Sequence, residues 1–428
     1  MRRGTKTITI GLFGATVLSS AALAGGFSRG SANLDGLYGD GFEFYSGVTF
    51  VSPGRSYENI SGYSLEGFLD APDQTFSNDY FIPYVSVGGK LAGNLNCVGS
   101  YTQPYGGDSE YSGAIQFDTA YQNFVVDELG LTCSVGFDAG PGRAYLIGGV
   151  FHESLDYNEA QDFQLYDGIP LPNPFFDDGV YGPNAGDVSS LNLTGESWGY
   201  RIGVGFEIPE IALRGSLMYR SQTDYDATGM YSSTPFATIA AHQIAGDPDS
   251  PFYGNYAGAL GYVQGNLYQS QLSTTASASA SLPQSVEFAL RSGIRPGWLA
   301  FASVKWTDWS VLQQIQVVEG IAGQDFSSSS FFFKDGWTVT GGLAHQFNET
   351  LAGSFSVTWD KGVSGGYDTL TDTWTVASGV RYAKDNMTLS AGGAAIYLSE
   401  GQKTEGDYTA YSPGEWGYAL SLSGSLKF

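Results

Sequence analysis

The sequence has few basic residues and few cysteines. Its 19 lysines and arginines are outnumbered by 43 aspartates and glutamates, which gives a formal net charge of −24. A surface with this charge repels nucleic acid and anionic lipid headgroups, so we expect no nucleic-acid partner. Only Cys97 and Cys133 are present, which is too few for a small fold held together by several disulfide bonds.

Long apolar runs and catalytic motifs are also missing. After the first 24 residues no run of 18 or more apolar residues occurs, which excludes a helical membrane span there. His152, His242 and His345 are far apart, no CxxC or HxxxH spacing occurs, and no GxxxxGK[ST] or GxGxxG sequence follows a predicted strand. We therefore expect neither an enzyme nor a bound metal or other cofactor.

The first 24 residues have the three parts of a secretory signal peptide. Basic residues at positions 2, 3 and 6 precede an apolar run, and Ala22-Leu23-Ala24 has the small residues of a cleavage site. We expect residues 1–24 to be removed on export. The sequence also contains 60 Gly, 28 Tyr and 27 Phe, which in an exported chain favours a secreted β protein or a transmembrane β-barrel.

The final thirteen residues, WGYALSLSGSLKF, favour the transmembrane barrel. Apolar side chains share one face and small or polar side chains share the other, and this alternation is longer than in most soluble strands. The apolar face consists of Trp416, Tyr418, Leu420, Leu422, Leu426 and Phe428. Such a strand has lipid on one side and a polar lumen on the other.

The same alternation predicts fourteen strands in one antiparallel β-barrel over residues 43–428. They lie near 43–53, 78–89, 93–104, 125–137, 143–155, 194–208, 211–223, 283–294, 298–312, 336–347, 350–360, 372–384, 386–399 and 416–428. Short turns alternate with longer connections, and the longest are outer loops near 158–192 and 226–282. Bacterial barrels have even strand numbers, short periplasmic turns and long outer loops, so the count and the connections agree.

Residues 25–42, ahead of the first strand, are rich in glycine yet contain several apolar side chains. We expect this segment to enter the barrel as a plug, with a disordered leader as the alternative. The side chains that would pack inside are Phe27, Leu34, Leu37 and Tyr38.

The alternation of side chains between the two faces of each strand predicts that five cations on neighbouring strands face the lumen. Each lies on the face opposite to the apolar residues of its strand, and together they are Arg201, Arg214, Arg220, Arg291 and Lys305. One interpretation is that they are solvated or paired, as Arg291 could be with Glu287. The other is a carboxylate receptor, in which a cation binds an acid group and aromatic side chains hold the tail.

The predicted outer loops contain apolar side chains where water is expected. These are Leu171, Phe175 and Phe176 in the first long loop and Phe236 in the second. Exposed apolar clusters on loops bind ligands, although packing against one another over the barrel mouth is the alternative.

The two cysteines face outward on adjacent antiparallel strands. Cys97 and Cys133 can form a cross-strand disulfide, or they can remain two separate thiols on the lipid side.

The stretch FASVKWTDWSVLQQIQV, together with LPQSVEFALRSGI upstream, resembles the FadL family of outer-membrane long-chain fatty acid transporters. Parity directs Trp306 in this stretch toward lipid and Trp309 the opposite way. The resemblance implies a bacterial outer-membrane barrel that captures hydrophobic acids between the outer loops, holds them in an inner pocket and releases them through a wall opening, with the plug as gate. Family plugs are longer and contain an Asn-Pro-Ala turn, whereas residues 25–42 contain no proline.

Further expectations follow from the resemblance. The five inward cations would supply the carboxylate partner, and Pro83 and Gly99 would weaken the sheet where the wall opens. The partners would be a long-chain fatty acid or other hydrophobic ligand, outer-membrane lipid and lipopolysaccharide, with the barrel a monomer. A passive porin for small polar solutes is the main alternative, and a barrel hydrolase or a purely structural barrel is a third.

Overall fold

The computed structural model describes most of the chain after the predicted signal peptide. The described residues are 26–39, 41–61, 72–113, 115, 119–162, 188–233, 241, 244–248, 250–262, 273–319, 325–405 and 408–428. The predicted signal peptide, residues 1–24, lies outside them.

The described chain consists mainly of antiparallel strands. In chain order they are β1 (Phe42–Ser52), β2 (Ser56–Ser61), β3 (Gln74–Thr75), β4 (Tyr80–Ala92), β5 (Leu95–Glu110), β6 (Tyr121–Ala139), β7 (Gly142–Asp162), β8 (Val188–Ile208), β9 (Leu213–Arg220), β10 (Thr223–Ser233), β11 (Ser273–Leu282), β12 (Ser285–Arg295), β13 (Trp298–Thr307), β14 (Gln314–Glu319), β15 (Asp325–Ser330), β16 (Gly336–Gln346), β17 (Leu351–Asp360), β18 (Thr373–Lys384), β19 (Met387–Leu398), β20 (Gly401–Glu405), β21 (Tyr408–Ser412) and β22 (Glu415–Lys427).

Fourteen of these described strands form a closed barrel, because β1 pairs with both β4 and β22. The order around the barrel is β1, β4, β5, β6, β7, β8, β9, β12, β13, β16, β17, β18, β19 and β22. The predicted fourteen-stranded antiparallel β-barrel is therefore confirmed.

Helices are short. A seven-residue α-helix covers Tyr256–Tyr262, and 3₁₀ turns cover Asp35–Leu37, Pro209–Ile211 and Trp309–Val311. Among the described residues, no helix has the length and apolar character needed to cross a membrane.

Four further strands extend the barrel at its outer end. β10, β11, β14 and β15 pair with one another in that order, and β10 also pairs with the outer part of β8. The prediction of a loop over residues 226–282 was therefore wrong at both ends, because residues 226–233 belong to β10 and residues 273–282 form β11. The second of these strands, STTASASASL, consists of Ser, Thr and Ala up to its final Leu282, so it has almost none of the large side chains by which the other strands were predicted. The predicted strand 298–312 also ends early, at Thr307, where the chain enters the 3₁₀ turn.

The outer end has the opposite polarity from the rest of the barrel. In the lower part of β8, Trp198 and Ile202 are 70% and 53% exposed on the outside. In β10, by contrast, Tyr225 is buried inside whereas Asp224 and Asp226 are exposed outside. In the lower part of the barrel, apolar side chains face the surrounding lipid, whereas at the outer end they face the interior. The outer end therefore presents a polar surface to water and encloses an apolar chamber.

A disulfide bond joins Cys97 of β5 to Cys133 of β6. The two residues are direct cross-strand partners. They share the outward face of the wall with Leu131 and Val135, which are exposed.

Candidate functional site

The upper lumen is filled by an apolar cluster, called the upper cluster below. Trp309 at its centre is fully buried, and Phe333 and Tyr225 are 2% and 1% exposed. The 3₁₀ turn after β13 directs Trp309 inward, while Trp306 donates a hydrogen bond from Nε1 to Asp335 at 3.0 Å. The cluster also contains Tyr105, Val126, Leu155, Leu191, Leu193, Tyr231, Leu282, Leu312, Val317 and Val363, with Phe27, Phe124 and Phe331 packed against it.

The upper cluster contains one polar atom without a partner. Trp309 Nε1 is buried and has no hydrogen-bond acceptor among the described residues. A ligand with an acceptor group inside the chamber would satisfy this donor.

A buried network of two arginines and two glutamates forms the floor of the upper cluster. Arg201 pairs with Glu128, and Arg220 pairs with both Glu153 and Glu128, the latter at 3.1 Å. Glu153 also accepts hydrogen bonds from Tyr225 Oη at 2.7 Å and from Thr223 Oγ1 at 2.8 Å. Two carboxylates thus balance two guanidinium groups inside the low-dielectric lumen.

The other three predicted cations lie lower and differ in their pairing. Arg214 Nη1 is 2.9 Å from Asp35 and its Nη2 is 3.3 Å from Glu207. Arg291 Nη1 is 3.9 Å from the same Asp35 oxygen. Lys305 faces Glu287 across β12 and β13, yet no carboxylate of the described residues lies within 4.0 Å of its amine.

A cavity of about 290 Å³ lies below the network, between the N-terminal segment and the barrel wall. Arg291, Arg214 and Glu287 line it on one side, and Tyr45 and Tyr84 line it on the other. The carboxylate of Asp35 lines the cavity as well, so its walls combine two cations, two carboxylates and aromatic rings.

The N-terminal segment 26–39 runs down the lumen, and its four predicted apolar residues all pack inside. Phe27 packs against the upper cluster, with ring centroids 4.9 Å from Phe124 and 6.0 Å from Trp309. Leu37 is 1% exposed and packs, with Leu34 and Tyr38, in a lower cluster that includes Val98, Tyr145 and Ile147. Gly26 has φ +75°, and a Cβ there would collide with the Trp309 ring, so the segment enters the lumen at a position that requires glycine.

The barrel wall is interrupted between β4 and β5. Their pairing runs from Ala92–Leu95 at the bottom only to Val85–Tyr101, whereas β4 continues to pair with β1 up to Tyr80. Contact between the two chain segments resumes higher, at the Ser77–Ser109 bridge. We call this interruption, between 80–84 and 102–107, the wall gap.

Residues 27–30 of the N-terminal segment occupy the edge of β5 that β4 leaves free. Arg29 N donates to Pro104 O at 2.8 Å, Gly30 N donates to Gln103 O at 2.9 Å, and Gly106 N donates to Phe27 O at 3.0 Å. The segment therefore completes the β5 ladder from inside the barrel. Of the two residues predicted to weaken the wall, Pro83 lies in the gap, whereas Gly99 is paired on both sides.

The predicted apolar groove cannot be placed. Leu171, Phe175, Phe176 and Phe236 all lie outside the described residues.

The site residues predicted from the sequence did not include Glu128, Glu153 or Arg29. Glu128 lies on the same inward face of its strand as Thr132 and Ser134, and Glu153 lies on the same inward face as Phe151. The alternation along each strand alone would therefore have predicted that both glutamates face the lumen. Their pairing with Arg201 and Arg220 depends on the order of strands around the barrel, which parity does not give.

Comparison with known proteins gives consistent matches. Residues 120–397 match the model of the family described as outer membrane protein transport protein (OMPP1/FadL/TodX). The long-chain fatty acid transport protein of Escherichia coli O6:H1 is 21% identical over 329 residues, which cover 74% of this chain and 67% of that protein.

Two solved structures have the same fold. A Pseudomonas aeruginosa FadL homologue matches with a TM-score of 0.70 at 15% identity, covering 90% of each chain. The toluene transporter TodX of P. putida matches with a TM-score of 0.58 at 12% identity, covering 91% of each chain. At these identities the likeness is one of fold alone.

Proposed function

Because the chain belongs to the family of outer membrane transport proteins that includes FadL and TodX, we propose that it takes up long-chain fatty acids or similar hydrophobic molecules. It is a protein of the bacterial outer membrane, and the relatives named above are transporters or channels rather than enzymes. One relative is named for fatty acid transport and another for toluene transport, which supports a hydrophobic ligand.

Capture takes place at the outer end of the barrel. The upper cluster places aromatic and aliphatic side chains inside an extension whose outer face is polar, so a hydrophobic molecule leaves water on entering it. The apolar loop residues Leu171, Phe175, Phe176 and Phe236 are proposed as the groove that first binds the ligand.

The acid group then binds below the network, at Lys305 and Arg291. Arg201, Arg220 and Arg214 already have carboxylates within 3.5 Å, whereas no carboxylate of the described residues lies within 4.0 Å of the Lys305 amine. A ligand carboxylate gains most at a cation without a carboxylate partner, so the proposal depends mainly on Lys305, with Arg291 on the wall of the cavity.

Release is sideways through the wall gap, and the interrupted β4–β5 ladder is the observation that carries the proposal. Phe81 on β4 beside the gap is 63% exposed on the outer wall, so the gap faces lipid. Residues 27–30 close it from inside through three backbone hydrogen bonds, and an interior route to lipid opens when they detach. The N-terminal segment is therefore proposed as the gate.

A cross-link between segment and wall tests this function. Ser28 and Tyr105 form an antiparallel bridge, so the double variant Ser28→Cys with Tyr105→Cys places two thiols across it. We expect oxidation to abolish oleate uptake by cells that lack their own fatty acid transporter, and reduction to restore it. Wild-type protein under the same treatments controls for reduction of Cys97–Cys133, and undiminished uptake by the oxidised variant would refute gating by this segment.

A further inference from the structure

Arg29 is a buried charge that the proposed function has not used. Its side chain is 6% exposed, and Nε and Nη2 have no hydrogen-bond partner among the described residues. Its guanidinium lies 4.0 Å from the centroid of the Tyr80 ring. The cation–π contact offsets only part of the free energy needed to bury such a group, because unpaired hydrogen-bond donors in a low-dielectric site are destabilising.

Arg29 lies in the wall gap. Its backbone is bonded to β5, at Pro104, whereas its side chain reaches Tyr80 on β4. A Cβ added at Gly106 would be 2.6 Å from the Arg29 guanidinium carbon, so glycine at this position makes room for the charge. The guanidinium therefore spans the interruption from one strand to the other.

Both oxygens of the nearby Asp108 carboxylate already accept hydrogen bonds. Asp108, the acidic group that interacts electrostatically with Arg29, accepts hydrogen bonds at 2.8 Å from Asn78 Nδ2 and at 2.8 Å from Asn123 Nδ2. A second donor on the gap, Thr102 Oγ1, is also buried without a partner in the described chain. Among the described residues, the gap therefore contains three buried donor atoms without an acceptor, Arg29 Nε, Arg29 Nη2 and Thr102 Oγ1.

We propose that Arg29 binds the carboxylate of a long-chain acid while the acid passes through the wall gap. The inference rests on the proposed function, because it assigns the exit step of that transport to a residue of the N-terminal segment. The planar guanidinium offers paired N–H donors that match a carboxylate, and the hydrocarbon tail passes between β4 and β5 toward lipid.

Uptake of two probes with the same tail tests this assignment. Oleate has a carboxylate, whereas oleyl alcohol has the same chain without a charge, and both are measured in cells that lack their own transporter, with vector-only cells as background. We expect Arg29→Gln to lower the initial rate of oleate uptake by about tenfold, the loss of one charge-assisted interaction. Uptake of oleyl alcohol should stay within about twofold of wild type, and Arg29→Lys should keep most of the oleate rate.

Three further variants separate charge from structure. Arg295→Gln removes an exposed arginine that also stacks on an aromatic ring, Trp298 at 4.5 Å, and we expect no change. Gly106→Ala keeps the charge but displaces the guanidinium and should lower the preference for the acid. Gly99→Ala on the same strand has no atom nearer than 3.8 Å to its Cβ and should leave that preference unchanged.

The outcomes distinguish the two proposals. If Arg29→Gln lowers uptake of both probes equally, Arg29 is structural and the assignment is wrong. If it leaves both rates unchanged, the acceptor is something else, such as a lipid phosphate, and the assignment is again wrong while the transport function stands. If wild type takes up neither probe faster than vector-only cells, the proposed function itself fails and the role of Arg29 fails with it.

Discussion

Phe27 anchors the N-terminal segment, so its truncation should open the wall gap. The ring has four aromatic neighbours, at centroid distances of 4.9 Å to Phe124, 5.6 Å to Phe333, 5.9 Å to Phe331 and 6.0 Å to Trp309. Truncating a well-packed phenylalanine costs about 3–5 kcal/mol, and since this ring is half-buried we expect about 2 kcal/mol. That loss raises the population of the detached segment roughly 30-fold.

The assay measures how fast a thiol at position 28 reacts. Ser28 is 8% exposed beneath the segment–β5 contact, and both native cysteines are joined in a disulfide, so Ser28→Cys introduces a single protected thiol. When opening is fast relative to labelling, the rate follows the detached population. Phe27→Ala in this background should therefore accelerate maleimide labelling by roughly 30-fold.

A matched variant gives the comparison. Leu34→Ala truncates an apolar residue of the same segment that packs in the lower cluster, away from the wall gap, and should change labelling at position 28 far less. Equal acceleration by the two variants, or none with Phe27→Ala, would show that the segment does not detach at the gap as a local unit.

The remaining predictions concern the inner pocket and the lumen. Lys305→Ala combined with Arg291→Ala should weaken oleate binding to the purified protein by about tenfold or more, since two charge-assisted contacts are lost, and should barely change oleyl alcohol binding. Arg295→Ala is the control, and binding of both ligands to the double variant as tightly as to the wild type would disprove the cationic pocket. In planar bilayers the wild-type protein should give no large steady ion current, because Trp309, Tyr225 and Phe333 fill the upper lumen; such a current would favour the porin alternative.

Much of the fold could be predicted from local alternation. A strand with lipid on one side and the lumen on the other must alternate with period two, and this pattern located fourteen barrel strands and the inward face of Lys305. It failed at β11, where alternating Ser and Ala provide little difference between the faces. It also treated β13 as continuing to residue 312, since a 3₁₀ turn after Thr307 leaves no clear mark in the pattern.

The site could be predicted only in part. Parity indicated which side chains enter the lumen, including Arg201 and Arg220, but not that Glu128 and Glu153 neutralise them. Those partners are about 70 to 90 residues apart in the chain. Ion pairing at such separations depends on strand order and register, which each strand's own pattern does not specify.

The sequence by itself determined a fourteen-stranded outer-membrane barrel, because burial in lipid on one face constrains every second residue of each strand. Only the tertiary structure decided where the wall is interrupted and that residues 27–30 fill the free edge of β5. The physical reason is that backbone hydrogen-bonding groups are the same in every residue except proline. How the strands and the N-terminal segment pack in three dimensions decides which strand edges these backbone groups join.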